Sequence, residues 1–176
     1  MAGSNGKQKS VSSIILSLAV VVLAAGVVYL FVPHDDRAPD IKRVDYRVEL
    51  LTARRAAPYP VAAPEGLPDT WKATSVRYQA EQDNRWHLGF LDPEGQYVAV
   101  EQSTQKRKDF IDDASQGAHA TKVTQEIDGR TWTRYTGGRY DALVWDGDEN
   151  STTVVAGTAS FDQLTKMVEA LVMEKD

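Results

Sequence analysis

Chemistry in this chain rests on few residues. The three imidazoles are His34, His87 and His119. An imidazole serves as a general base near neutral pH or as a metal ligand. A base needs an orienting partner, and a zinc site needs further ligands at set spacing, as in HExxH. None of the three has a second histidine or a carboxylate at such spacing, so His87, in a strand-like stretch, reads as an ordinary sheet-surface histidine. The acids open to a carboxylate hydrolase are Asp83, Asp92 and Glu101. Glycoside cleavage takes two carboxyls about 5–10 Å apart, a separation that chain spacing does not fix. Asp146-Gly147-Asp148-Glu149-Asn150 starts like a calcium loop, but Ser151 and Gly157 stand where an EF-hand has glycine and glutamate. It reads as a solvated hairpin tip. Lys106-Arg107-Lys108 is followed at once by Asp109 and reads as a solvated face. No GxSxG, Walker A, GxGxxG or SxxK motif occurs, so no catalytic, cofactor or metal residue is assigned. Trp71, Trp86, Trp132 and Trp145 all lie in strand-like stretches. Core packing is their default role, and as a cluster on one sheet face they are the candidate apolar ligand or partner surface.

The chain that must position these residues has two unlike parts. Its 176 residues carry 20 basic and 25 acidic side chains, no cysteine and a net charge of −5. The absence of cysteine excludes a disulfide scaffold, a thiol nucleophile and a thiolate zinc site. The negative charge argues against a nucleic-acid partner. Val11 to Val32 is a run of 22 residues without a charge. As a helix it reaches about 33 Å, enough for a hydrocarbon core of about 30 Å. It is longer than the apolar region of a cleaved signal peptide and is expected to be a retained anchor in the lipid bilayer. Lys7 and Lys9 on one flank, against Asp35 and Asp36 on the other, put residues 1–10 in the cytoplasm. A linker over 33–43 and an extracytoplasmic domain over 44–176 follow. With the two tail lysines set aside, residues 33–176 carry a net charge of −7.

Within the domain, Asp45 is placed to cap a helix over 46–57, although Val44, Tyr46, Val48 and Leu50 also alternate as a strand would. Four prolines in 58–68 predict an extended connector over the surface. Period-two patterns over 71–80, 86–91 and 97–102 predict strands, the last two joined by a turn at Asp92-Pro93-Glu94-Gly95. A short helix is expected over 105–114. Strands are expected over 122–127 and 131–135, around the hairpin signal Asp128-Gly129, and over 140–145 and 152–157. Ser160 and Gln163 form a capping box for a closing helix over 161–173. The fold class implied is α+β: an N-terminal transmembrane helix, then an antiparallel sheet of about six to seven strands with helices on one face.

The ordered segments VDY (Val44–Tyr46), APEGLPDTW (Ala63–Trp71), TSVRY (Thr74–Tyr78), WHLGFLDPEGQYVAVEQ (Trp86–Gln102), GRTW (Gly129–Trp132) and VAGTAS (Val155–Ser160) resemble one family. It is domain of unknown function 4245, single-pass membrane proteins of actinobacteria. The resemblance implies a bacterial cell envelope, where the sequon Asn150-Ser151-Thr152 is idle. It brings no activity, ligand or catalytic residue.

The expectation is a non-enzymatic, membrane-anchored module that binds an envelope protein or an apolar ligand. The alternative is an envelope hydrolase working through carboxylates.

Overall fold

The computed structural model describes residues 6–31, 42–147 and 150–176, and the chain divides into two units, Met1–Asp40 and Ile41–Asp176. The expected linker lies largely outside the described residues, as do His34, Asp148 and Glu149. The first unit is helix α1 (Gly6–Phe31). Its side chains from 13 to 29 are all exposed. Consecutive apolar residues such as Val20, Val21, Val22 and Leu23 point to every side of the cylinder. Ser17 donates its hydroxyl to the Ser13 carbonyl at 3.0 Å, which removes a polar group from an apolar surface. Among the described residues, no helix is long and apolar enough to cross a membrane.

The second unit is α+β. In chain order it contains α2 (Arg47–Ala56), β1 (Val61–Pro64), β2 (Lys72–Gln79), β3 (Arg85–Leu91), β4 (Tyr97–Ser103), α3 (Arg107–Ser115), β5 (His119–Ile127), β6 (Arg130–Thr136), β7 (Asp141–Asp146), β8 (Thr152–Gly157), α4 (Phe161–Glu169) and β9 (Leu171–Glu174). Seven strands form an antiparallel sheet in the order β2-β3-β4-β8-β7-β6-β5. Local chemistry sets most of its turns. Asp92 Oδ1 accepts the N–H groups of Glu94 and Gln96 at 2.9 and 2.8 Å and closes the β3–β4 turn. Asp128 and Gly129 both take positive φ, as a two-residue hairpin requires.

One face of the sheet buries Trp86, Leu88, Phe90, Val98, Val100, Trp132, Leu143 and Val155 against Ala53 of α2 and Leu164, Met167 and Val168 of α4. The other face buries Ala142, Val144, Val154 and Ala156 against Phe110, Ile111 and Ala114 of α3. The helices therefore lie on both faces, not on one as expected. The topology supplies the reason. β4 and β5 are separated by β8, β7 and β6, so their connection must cross about 19 Å of sheet at about 4.8 Å per strand. The crossing carries α3 over the face that α2 and α4 leave free.

Three further expectations change. Asp45 does not cap α2 from the N-cap position, which Tyr46 holds; its Oδ1 accepts the Arg47 N–H at 3.1 Å from one residue earlier. The proline-rich connector is not a surface strap, because Val61, Ala62 and Ala63 are buried and pair as β1 with β9. The closing helix ends at Glu169, and Leu171–Glu174 turns into β9. Pro64 sits opposite Leu171 at the end of this two-stranded ribbon, where its missing N–H costs least.

Candidate functional site

α3 covers only the β7–β8 side of its face. Over β2, β3 and β4 the same face carries polar side chains. Cross-strand register sets Arg77 opposite His87 and His87 opposite Glu101. A bulge between Ala73 and Ser75 brings Ser75 opposite Gly89, on the same face as Arg77 and Gln79. Ser75 Oγ lies 2.9 Å from His87 Nε2, and His87 Nδ1 lies 3.2 Å from Glu101 Oε1. The other Glu101 oxygen accepts two bonds from Arg85, at 3.0 and 2.6 Å. Arg85 in turn stacks over the Phe110 ring at 5.3 Å and reaches Asp113 at 3.9 Å. The end of the chain of contacts is thereby fixed to α3.

Burial works against the Glu101 charge, but the His87 hydrogen bond and the Arg85 guanidinium outweigh it. The carboxyl is held below its ordinary value of 4.5. An ionised carboxylate can only accept, so Nδ1 of His87 carries the proton. With the proton on Nδ1, Nε2 of an uncharged imidazole is placed to accept a bond from the Ser75 hydroxyl, 2.9 Å away. Gly89 makes room for this. A Cβ there would meet Ser75 Oγ at 2.4 Å and the Tyr97 hydroxyl at 3.3 Å. Burial first, then Glu101 and Tyr140, pushes the Tyr97 phenol up to about 12, so it keeps its proton as a donor. Beside this line lies an open groove of about 240 Å³, lined by Arg77, Gln79, Gln82, Arg85, His87 and Glu101.

The depressed Glu101 carboxyl ties stability to acid. A folded-state value below the unfolded one adds stability in full above about pH 4.5, and that stability is lost as pH falls through the folded value. Glu101→Gln should therefore lower stability at pH 7 and flatten the acid limb, so that the two curves converge below the glutamate range. Denaturant melts between pH 7 and pH 3 test this, and parallel acid limbs would refute it.

The tryptophans do not present one aromatic surface. Trp86 and Trp132 are enclosed, Trp71 is 5% exposed, and Trp145 is half-buried, 6.2 Å from the Trp132 ring. Trp86 donates Nε1–H to the Ala62 carbonyl at 2.9 Å. Trp71 still lines a cavity of about 150 Å³ with Arg43, Tyr46 and Phe90. The three named carboxylates are not gathered. Asp83 and Asp92 lie beyond opposite ends of the seven-residue β3, more than about 20 Å apart along an extended strand. Asp92 is spent on its turn, and Glu101 faces basic groups. Asp146 pairs with Arg107, which binds the basic run to the hairpin tip. Among the described residues no group of three or more metal-ligating side chains occurs. His119 is exposed at the start of β5.

Sequence reasoning missed Ser75 and the link of His87 to Glu101. Part of the signal was present. A hairpin centred on Asp92–Gly95 that sets Leu91 opposite Tyr97 also sets His87 opposite Glu101. The position of Ser75 depends on the bulge in β2, which no residue pattern announces.

Fold and site together define the class: an α+β domain behind an N-terminal apolar helix, with a polar groove on the part of the sheet face that α3 leaves uncovered. The chain belongs to the family described as protein of unknown function (DUF4245), whose model matches residues 7–171. No curated protein and no solved structure matches it.

Proposed function

We propose that this protein is a membrane-anchored, extracytoplasmic domain of a bacterial cell envelope that binds a polar ligand through the groove over β2, β3 and β4. A helix that is apolar on every side needs an apolar medium around it, and Ile14–Leu16 and Val20–Leu23 of α1 are all exposed. The uncharged run continues through Val32, long enough to span. The observation that carries the binding reading is the groove itself. Its Arg85 is committed to Glu101 and Asp113, while Arg77 makes no ion pair among the described residues and stands opposite His87. A guanidinium of that kind attracts a carboxylate or phosphate group. The enclosed tryptophans shift the expected ligand from apolar to polar and anionic.

One preparation tests both parts. The whole chain should float with lipid vesicles and resist alkaline carbonate. Reconstituted in lipid nanodiscs, its amide resonances around Arg77, Gln79 and His87 should shift with millimolar succinate, and Arg77→Ala should weaken the response at least tenfold. Recovery of the chain in the carbonate supernatant would refute the anchor. Unmoved resonances would refute the groove.

A further inference from the structure

We propose that Ser75 is a nucleophile with His87 as its base and Glu101 as the residue that positions the imidazole, and that the groove takes carboxylic esters bearing an acidic group. The proposal rests on the groove being the place where a ligand binds. The contacts run in the order that acyl transfer requires: hydroxyl to Nε2 at 2.9 Å, Nδ1 to carboxylate at 3.2 Å. The triad is recognised by this geometry and not by chain order or fold. The carboxylate is itself held by two bonds from Arg85, so the ring is aimed from behind.

The approach to the hydroxyl is open. Ser75 lies on β2, one of the two edge strands of the sheet, and it is half-buried. Across from it Gly89 has no side chain, and the space its Cβ would fill is bordered by Ser75 Oγ and the Tyr97 hydroxyl. An acyl oxygen above that space meets a phenol that keeps its proton and donates, as oxyanion stabilisation requires. Arg77, two residues along the same strand face, reaches the acidic group of the ester.

The reaction balances without an outside oxidant or reductant. Ser75 Oγ bonds to the acyl carbon while its proton passes to His87 Nε2. The bond from the acyl carbon to the leaving oxygen breaks, and the imidazolium returns the proton to that oxygen as an alcohol. Water then attacks the acyl-serine by the same route, with His87 taking and returning a proton. The products are a carboxylic acid and the free serine.

The test is labelling of the whole chain in lipid nanodiscs with a fluorophosphonate, read by peptide mass. The expected result is an adduct on Ser75, absent in Ser75→Ala. His87→Gln should slow labelling at least about 100-fold, the range for loss of a general base. Glu101→Gln should slow it as well, and Glu101→Asp, which keeps a carboxylate, should recover part of the rate, a rescue that a packing role would not give. A thermal transition measured on each variant shows that it is folded, and the site of the wild-type adduct needs no variant at all. A folded wild-type protein without an adduct on Ser75 would overturn the proposal, as would His87→Gln labelled at the wild-type rate. Succinate binding without an adduct would leave the binding function standing and remove the chemistry. An adduct without succinate binding would uphold the nucleophile and remove the anionic ligand.

Discussion

Gly157→Ala should destabilise the domain by more than about 3 kcal/mol, at or beyond the upper end of overpacking costs. Gly157 closes β8 in the middle of the sheet, opposite Val98 of β4 on one side and Asp141 of β7 on the other. A Cβ there would lie 1.9 Å from the Tyr97 carbonyl oxygen and 2.8 Å from its carbonyl carbon. Both atoms are backbone. The same oxygen accepts the Thr158 N–H at 2.9 Å, so it cannot withdraw without opening the β4–β8 junction. That junction joins β2-β3-β4 to the β5–β8 meander, and it has no covalent turn to restore it. Gly95 is the comparison. It has a φ of +78° but open space around it, so Gly95→Ala should cost only about 1–2 kcal/mol for the left-handed backbone. Urea unfolding of the whole chain, followed by the fluorescence of the enclosed tryptophans, measures both. Equal midpoints for the two variants would refute the argument.

The same junction marks where the sequence stops being legible. Features decided within a few residues could be read directly. The Asp128-Gly129 hairpin and the Asp92 turn form as their residue types demand. Ser160 accepts the Gln163 N–H at the start of α4, as the capping pattern implies. Elements decided by distant pairing could not be read. Leu171 continues the apolar stripe of α4, yet it leaves the helix because Val61–Pro64, more than a hundred residues earlier, offers a strand partner. Phe110 and Ile111 were legible as the inward side of α3, but which sheet face they meet depends on where β5 pairs. The candidate site shares this limit. Ser75, His87 and Glu101 are spaced by 12 and 14 residues across three strands, a distance no short motif covers. Two hairpin registers and one bulge bring them together. The tryptophans were the opposite case: conspicuous in sequence, and taken up mainly by the core.

Gln102→Leu should lower stability by about 2–4 kcal/mol, although the two side chains are close in volume. Gln102 is 1% exposed. Its Oε1 accepts the Ala62 N–H at 2.7 Å, and its Nε2 donates to the Pro60 carbonyl at 3.2 Å and to Thr153 Oγ1 at 3.1 Å. Leucine strands all three groups, and an unpaired buried polar group costs about 1–3 kcal/mol. The opposite side of Ala62 is served by Trp86, whose indole N–H meets the Ala62 carbonyl. Two side chains from neighbouring strands of the main sheet thus satisfy both polar groups of one β1 residue, and they hold the β1–β9 ribbon to the sheet. Trp86→Ala should cost about 3–5 kcal/mol through its cavity alone. Once either side chain is gone the ribbon is held from one side only, so the second loss should cost less than it does alone. A double-mutant cycle reads this as a coupling of about 0.5–3 kcal/mol. Strict additivity would mean that the ribbon is held by its apolar contacts and that the Ala62 bonds are incidental. A sizeable coupling would show that a buried amide and an indole N–H decide whether the proline-rich segment packs against the sheet or stays in water.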